Sequence, residues 1–281
     1  MNPKIIFFGN TKYSVLGLEI INKKFPIILA VTIPDKPSGR KRVLTLSPVK
    51  KFAQENQIDI LETDILNDES VKKIDSLNPD FLVVEDYGLI LPTSILEIPK
   101  YAPLNIHHSL LPKYRGPSPA PAAILSGDKE TGVTIIQMTE IVDAGDMLAQ
   151  KKYDLRKNET TETLLTTLNK MGGELIIGVI EDYLKGKENP IPQDDKQSTH
   201  TSRLTKQDGF IDIANPPDKE KLDRMIRAYF PWPTVWTKID GKIIKFLPEG
   251  KIQPEGKKPM TLKEFANGYV QYKDQMIGLL D

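Results

Sequence analysis

Short apolar runs bounded by turn residues alternate with amphipathic segments through the first half of the chain. Lys4–Phe8 ends at Gly9 and predicts a buried strand. Tyr13–Asn22 carries Val15, Leu16, Leu18, Ile20 and Ile21 and suits a helix. Pro26–Ile33 predicts a second buried strand, closed by Pro34. Ser47–Asn56 opens with Ser-Pro, a helix start with proline in the first turn. Ile58–Leu61, Asp80–Val84, Leu104–His107 and Gly132–Met138 read as further strands, and Asp68–Leu77 as a helix. This β-α-β-α-β-α-β order predicts an α/β domain with a largely parallel sheet. In such sheets the ligand crevice lies beyond the carboxyl ends of the strands.

Thr161–Leu184 is the clearest helix, with Leu164, Leu165, Leu168, Met171, Leu175, Ile176, Val179, Ile180, Tyr183 and Leu184 on one stripe. Its central Gly172-Gly173 pair costs about 2 kcal/mol of helix propensity against Ala-Ala. A close helix contact or a kink would account for it. Residues 187–205 are polar, rich in turn residues and without apolar periodicity, and are read as an interdomain linker. Beyond them Gly209–Ile213, Thr234–Ile239 and Lys242–Leu247 read as strands, Asp218–Ala228 as a helix, and Asp240-Gly241 as a hairpin turn. The expected organisation is a domain over 1–186, the linker, and a small β-rich domain over 206–281.

Composition narrows the chemistry. Lys+Arg and Asp+Glu are both 38, which excludes a uniformly basic coat for nucleic acid and leaves room for a local basic patch. Cysteine is absent, so disulfides, thiolate metal sites and a cysteine nucleophile are excluded. No uncharged stretch approaches the roughly 20 apolar residues of a membrane span, and Ile5–Phe8 is too short for a signal-peptide core. A cytoplasmic protein without a membrane partner is expected.

Of the three histidines, His107 and His108 follow the predicted fifth strand in Asn105-Ile106-His107-His108-Ser109-Leu110-Leu111-Pro112. Strand alternation puts Asn105 and His107 on one face, at the expected crevice, and His108 on the other. An amide beside an imidazole suits an oxyanion-stabilising pair, and equally a hydrogen-bonded pair closing a strand. Asp143, in Val142-Asp143-Ala144-Gly145-Asp146 after the sixth strand, is a carboxylate partner for His107 or an ordinary turn residue. Arg40, Lys41 and Arg42, in the loop after strand two, suit a phosphate-rich partner or a solvated charge run. The chain lacks G-x-G-x-x-G, the P-loop pattern and G-x-S-x-G, which argues against a dinucleotide site, a nucleotide triphosphatase and a serine hydrolase elbow.

Taken together, Asn105-Ile106-His107-His108-Ser109-Leu110-Leu111-Pro112-Lys113-Tyr114-Arg115-Gly116, and Gly132–Met138 leading to Asp143-Ala144-Gly145, resemble the signatures of the formyltransferases that use 10-formyltetrahydrofolate. Pro34–Arg40 with Ser47-Pro48-Val49-Lys50, Ile226–Pro233 with Trp236, and Gln253–Met260 point to the tRNA-acting branch of that family. The resemblance implies a Rossmann-like formyltransferase domain with a predominantly parallel sheet, followed by a small, shortened OB-like β-barrel domain. It implies formyl transfer to the amino group of a methionyl-tRNA, with 10-formyltetrahydrofolate as donor, no metal, and a monomer. Asn105, His107 and Asp143 would be the catalytic trio. Tyr87, Gly88, Leu89, Ile90 and Leu91, with Ser109, Leu110, Leu111 and Pro112, would line the folate site. Arg40, Lys41 and Arg42 would meet the tRNA acceptor stem. A sugar-nucleotide amine as acceptor, or water in a formyltetrahydrofolate hydrolase, would use the same chemistry.

Three departures stand out. Glu85 and Asp86 occupy positions where this family usually has small or apolar residues, and could alter the folate pocket or face solvent. The first βα turn reads Gly9-Asn10-Thr11-Lys12-Tyr13, where the family commonly has G-T-P-x-F. Few residues separate Phe246-Leu247-Pro248 from Gln253-Pro254, so the barrel is expected to be reduced.

Overall fold

The computed structural model describes residues 2–38 and 43–270. In chain order the elements are β1 (Ile5–Phe8), α1 (Ser14–Lys24), β2 (Ile27–Thr32), β3 (Lys36–Ser38), β4 (Val43–Thr45), α2 (Pro48–Glu55), β5 (Asp59–Glu62), α3 (Asp68–Asp75), β6 (Phe81–Val84), α4 (Thr93–Leu96) and β7 (Ala102–His107). They continue with α5 (Pro119–Ser126), β8 (Glu130–Gln137), β9 (Met147–Asp154), α6 (Thr161–Leu184), α7 (Lys219–Ala228), β10 (Val235–Ile239), β11 (Lys242–Leu247), β12 (Lys251–Pro254), β13 (Met260–Thr261) and α8 (Leu262–Gly268). Two compact units emerge: 1–117, 132–153 and 165–200 form the first, and 118–131, 154–164 and 201–281 the second.

The first unit is built on a seven-stranded sheet in the order β5-β2-β1-β6-β7-β8-β9. The pairs β2–β5, β1–β2, β1–β6 and β6–β7 are parallel, whereas β8 runs antiparallel to β7. Strand β1 is apolar throughout because both faces are covered and all four residues are buried. On one face Ile6, Phe8, Leu29, Val31, Leu82 and Val84 pack with Ile74 of α3 and Ile95 and Leu96 of α4. Connections leave the sheet in opposite directions from β1 and β6, so the switch point opens at their carboxyl ends.

The glycine pair in α6 is explained by close packing. A Cβ on Gly172 would lie 2.3 Å from Ile106 Cγ2 of β7, and one on Gly173 would lie 2.9 Å from Gly17 Cα of α1. Helix starts follow the capping residues. Ser47 Oγ accepts from Lys50 N ahead of Pro48, Asn67 accepts from Ser70 N, and Asp218 accepts from Lys221 N.

In the second unit α5 lies against α7. Its sheet is antiparallel in the order β10-β11-β12-β13, a small sheet in keeping with the reduced C-terminal domain expected. Gly209–Ile213 is not a strand. A 3₁₀ turn ends at Gly209, and Phe210 forms only an isolated bridge to Trp236. Gly209 is held tightly against Thr234, whose carbonyl would lie 2.0 Å from an added Cβ, and Pro216-Pro217 follow too soon for a paired strand. Strands β9, β12 and β13, the β3–β4 hairpin, and helices α4, α5 and α8 are short or weakly patterned and escape the periodicity argument. No helix among the described residues is long and apolar enough to cross a membrane.

Candidate active site

Three chain segments meet beyond the carboxyl ends of β1, β6 and β7. From β1, Asn10 Oδ1 accepts from Thr32 Oγ1 at 3.0 Å and from Ile33 N at 2.9 Å. Its Nδ2 donates to the Tyr87 carbonyl. One amide therefore ties the end of β2 to the loop after β6. That loop, Tyr87-Gly88-Leu89-Ile90-Leu91, lines a cavity with Val84, Asp86, Asn105, Ile136, Met138, Thr139, Glu140, Val142 and Asp143. Tyr87 is buried edge-on against Phe8, and that burial pushes its phenol up to about 12.

Asn105 and Asp143 open onto this cavity, and His107 stands behind them. Asn105 Nδ2 donates to Asp143 Oδ1 at 3.1 Å. His107 Nδ1 lies 3.6 Å from Asp143 Oδ2, and its Nε2 lies 3.0 Å from the Tyr114 carbonyl. An imidazole facing a carboxylate and a carbonyl offers a proton to both only as the imidazolium. Asp143 Oδ2 also accepts from Gly116 N at 2.7 Å. Asp143 itself has φ +53°, a left-handed conformation uncommon for a side-chain-bearing residue. Two residues on, a Cβ at Gly145 would fall 1.7 Å from the Gln137 carbonyl, so only glycine fits there. The Asp-Ala-Gly sequence is thus a turn that aims one carboxylate.

Ser109, Leu110, Leu111 and Pro112 do not line this cavity. Ser109 Oγ donates to the Lys113 carbonyl at 2.6 Å, and Thr134 Oγ1 bridges the Ser109 carbonyl and Leu111 N. They shape the turn that presents Tyr114 and Gly116 to His107 and Asp143. Arg40, Lys41 and Arg42 lie outside the described residues. Close to the start of β3 and the end of β4, Lys50 Nζ bonds Asp35 at 2.7 Å and Glu62 at 2.8 Å, and Ser47 Oγ lies 2.8 Å from Thr32 Oγ1.

Glu85 and Asp86 part company. Asp86 lines the cavity and accepts from Thr11 Oγ1 at 3.2 Å. Glu85 is neither in the pocket nor in solvent but wholly buried. Its carboxylate occupies the space that a Cβ on Gly17 would need. His108 lies between the two carboxylates, with Nε2 3.5 Å from Glu85 Oε1 and Nδ1 3.5 Å from Asp86 Oδ1. Burial, helped by the Asp86 charge, holds the Glu85 carboxyl well above its ordinary 4.5. Burial lowers the His108 imidazole, against the pull of Asp86 and with the push of His107.

Sequence reasoning did not single out Asn10, Tyr114, Gln193 or Thr199 as site residues. Gln193 donates to the Asp143 carbonyl, and Thr199 Oγ1 accepts from Tyr114 N at 2.8 Å. Both lie in 187–205, whose polarity reads as a linker. The signal in that stretch is a Gln-Asp pair behind Pro190 and Pro192, which is weak alone.

Residues 4–180 match the profile of the family described as Formyl transferase, and residues 203–249 that of Formyl transferase, C-terminal domain. The methionyl-tRNA formyltransferase of Listeria monocytogenes serotype 4a (strain HCC23) is 40% identical over 243 residues, or 86% of this chain and 77% of that protein. The chain belongs to the methionyl-tRNA formyltransferase family. Methionyl-tRNA formyltransferase from Clostridium thermocellum shares the fold, with TM-score 0.61 and 21% identity over 90% of this chain and 97% of that one. HypX from Aquifex aeolicus, in complex with tetrahydrofolic acid, aligns with TM-score 0.63 and 17% identity, over 88% of this chain and 38% of that one. Two polar clusters stand side by side: Glu85 and Asp86 flank His108, while Asn105 and His107 each meet Asp143.

Proposed function

We propose that the protein transfers the formyl group of 10-formyltetrahydrofolate to the amino group of methionyl-tRNA, giving N-formylmethionyl-tRNA for translation initiation in the cytoplasm. The observation that carries the reading is the convergence of Asn105, His107 and Asp143 at the wall of the cavity lined by Tyr87–Leu91. The cavity suits a folate head. Val84, Leu89, Leu91, Ile136, Met138 and Val142 supply apolar faces for a flat ring, and Asp86, the loop backbone and Glu140 supply polar partners at its edge.

The amine nitrogen forms a bond to the formyl carbon, and a tetrahedral oxyanion results. The Asn105 amide, which has a second N–H beyond the one given to Asp143, stabilises that charge, and His107, beside Asp143, adds to it when protonated. Asp143 takes the proton released by the amine. The carbon–N10 bond then breaks, and the proton passes to N10 of the departing tetrahydrofolate. An α-amino group, with an ordinary value near 8, needs only modest help to be free base at neutral pH. Catalysis rests in residues 1–186 in this reading, and 206–281 help to hold tRNA.

Incubation with 10-formyltetrahydrofolate and methionyl-tRNA is expected to yield formyl-methionine, read by mass spectrometry after ester hydrolysis, faster than a no-enzyme control. Formate without formyl-methionine would replace the transferase reading with hydrolysis, and neither product would turn attention to sugar-nucleotide amines. Replacing Arg40, Lys41 and Arg42 together with alanine is expected to raise the KM for tRNA. It should also flatten the salt dependence by about three in the log–log slope at most. An unchanged slope would make that loop a solvated face.

A further inference from the structure

Residues 191–200, an irregular segment with a 3₁₀ turn at Asp195–Gln197, bond to the backbone around the site. Ile191 exchanges both backbone hydrogen bonds with Met147, each at 2.9 Å. Two residues on, Gln193 uses both ends of its amide. Its Nε2 donates to the Asp143 carbonyl at 2.9 Å and to the Gly145 carbonyl at 2.7 Å. Its Oε1 accepts from Arg115 Nε at 2.9 Å. Arg115 is buried, pairs through Nη2 with Asp195 Oδ1 at 2.8 Å, and donates its backbone N–H to the Thr199 carbonyl at 2.8 Å. Its chain neighbours on either side are Tyr114 and Gly116, whose backbone groups hold His107 and Asp143. Both halves of the polar site are therefore fastened to one glutamine. The left-handed backbone at Asp143 is the part with most to relax if that fastening goes.

We propose that Gln193, braced by Arg115, is a positioning residue for the formyl transfer: it fixes the Asp143 turn so that the carboxylate faces Asn105 and His107. The inference rests on the reaction assigned above. The glutamine acts on the Asp143 and Gly145 carbonyls and not on substrate.

The test uses Gln193→Ala and Gln193→Glu in the full chain. The glutamate retains an acceptor for Arg115 and loses both donors, so it should behave like alanine. Each is expected to lower kcat by about 10- to 100-fold, the size of effect that a displaced catalytic group produces. The KM for tRNA should stay within about twofold, since no tRNA contact is assigned to this residue. In an Asp143→Asn background Gln193→Ala should lose less than about twofold more, because the carboxylate it positions is gone. Amide exchange at Gly116, whose N–H is held by Asp143, should quicken by at least about tenfold. A kcat within about twofold of the parent, or the same loss in both backgrounds, would overturn the proposal. Gly116 exchange does not depend on the acceptor. If the parent formylates nothing, the functional reading fails, and an unchanged Gly116 rate separately defeats the positioning role. Should the alanine variant not fold, Asp195→Ala, at a side chain 83% exposed, loosens Arg115 from outside and should give a smaller loss in the same direction.

Discussion

Replacing His107 with alanine is expected to lower kcat by about 10²–10³-fold, equivalent to roughly 3–4 kcal/mol of transition-state stabilisation. The ring sits between the Tyr114 carbonyl and Asp143 and does not line the cavity. Its removal therefore takes away the imidazole that backs Asp143 while leaving the walls for folate in place. Folate affinity, measured by fluorescence titration, should change by less than about threefold, so that the loss falls on kcat and not on ground-state binding. The Asp143 carboxylate keeps its hydrogen bonds from Asn105 and Gly116, so the turn itself should survive. Turnover near that of the parent would remove His107 from the mechanism. A large loss of folate binding would instead make it a structural support of the pocket.

The second large effect concerns Glu85. Replacing it with glutamine is expected to raise the melting temperature, by about 5 °C at pH 9 and by less than half of that at pH 5, a shift of the size that about 2 kcal/mol gives in a unit this large. The folded carboxyl lies above its ordinary 4.5, so the folded chain holds a proton that the unfolded chain releases. Its contribution is fully present below 4.5 and is lost as the pH rises through the folded value. Glutamine has the same shape, carries no titrating proton and can donate to His108 Nε2. His108 runs the other way. Its folded value is lowered from 6.5, so its contribution is present above 6.5 and is lost as the pH falls. Asp86 and His107 face the same cluster and are unchanged by the substitution. Thermal melts across pH decide the matter. An ionised Glu85 paired with a charged His108 would make the glutamine variant less stable at every pH, by about 3–5 kcal/mol.

Buried strands such as Ile5–Phe8 and Phe81–Val84 are legible in sequence because two covered faces demand unbroken apolar runs. The long helix Thr161–Leu184 is legible to the residue because its stripe is continuous. Strand β9 is not, since Gln150, Lys151 and Lys152 break the alternation on an edge strand. The turn at Gly209 reads as a strand because Phe210, Ile211 and Ile213 imitate one, and only the Thr234 carbonyl packed on Gly209 shows otherwise.

The chemistry divides in the same way. Alternation along β7 alone places Asn105 and His107 on one face and His108 on the other, because the period of a strand is two. The motifs around His107 and Asp143 are local strings, so the resemblance to the family, and with it the candidate groups, could be named from the sequence. What Glu85 faces, which carbonyl holds His107, and that Gln193 fastens Asp143 from 50 residues away were decided by tertiary structure alone. Such contacts join segments distant in sequence. A hydrogen bond between them depends on where the sheet brings two backbones, and no periodicity within either segment encodes the partner.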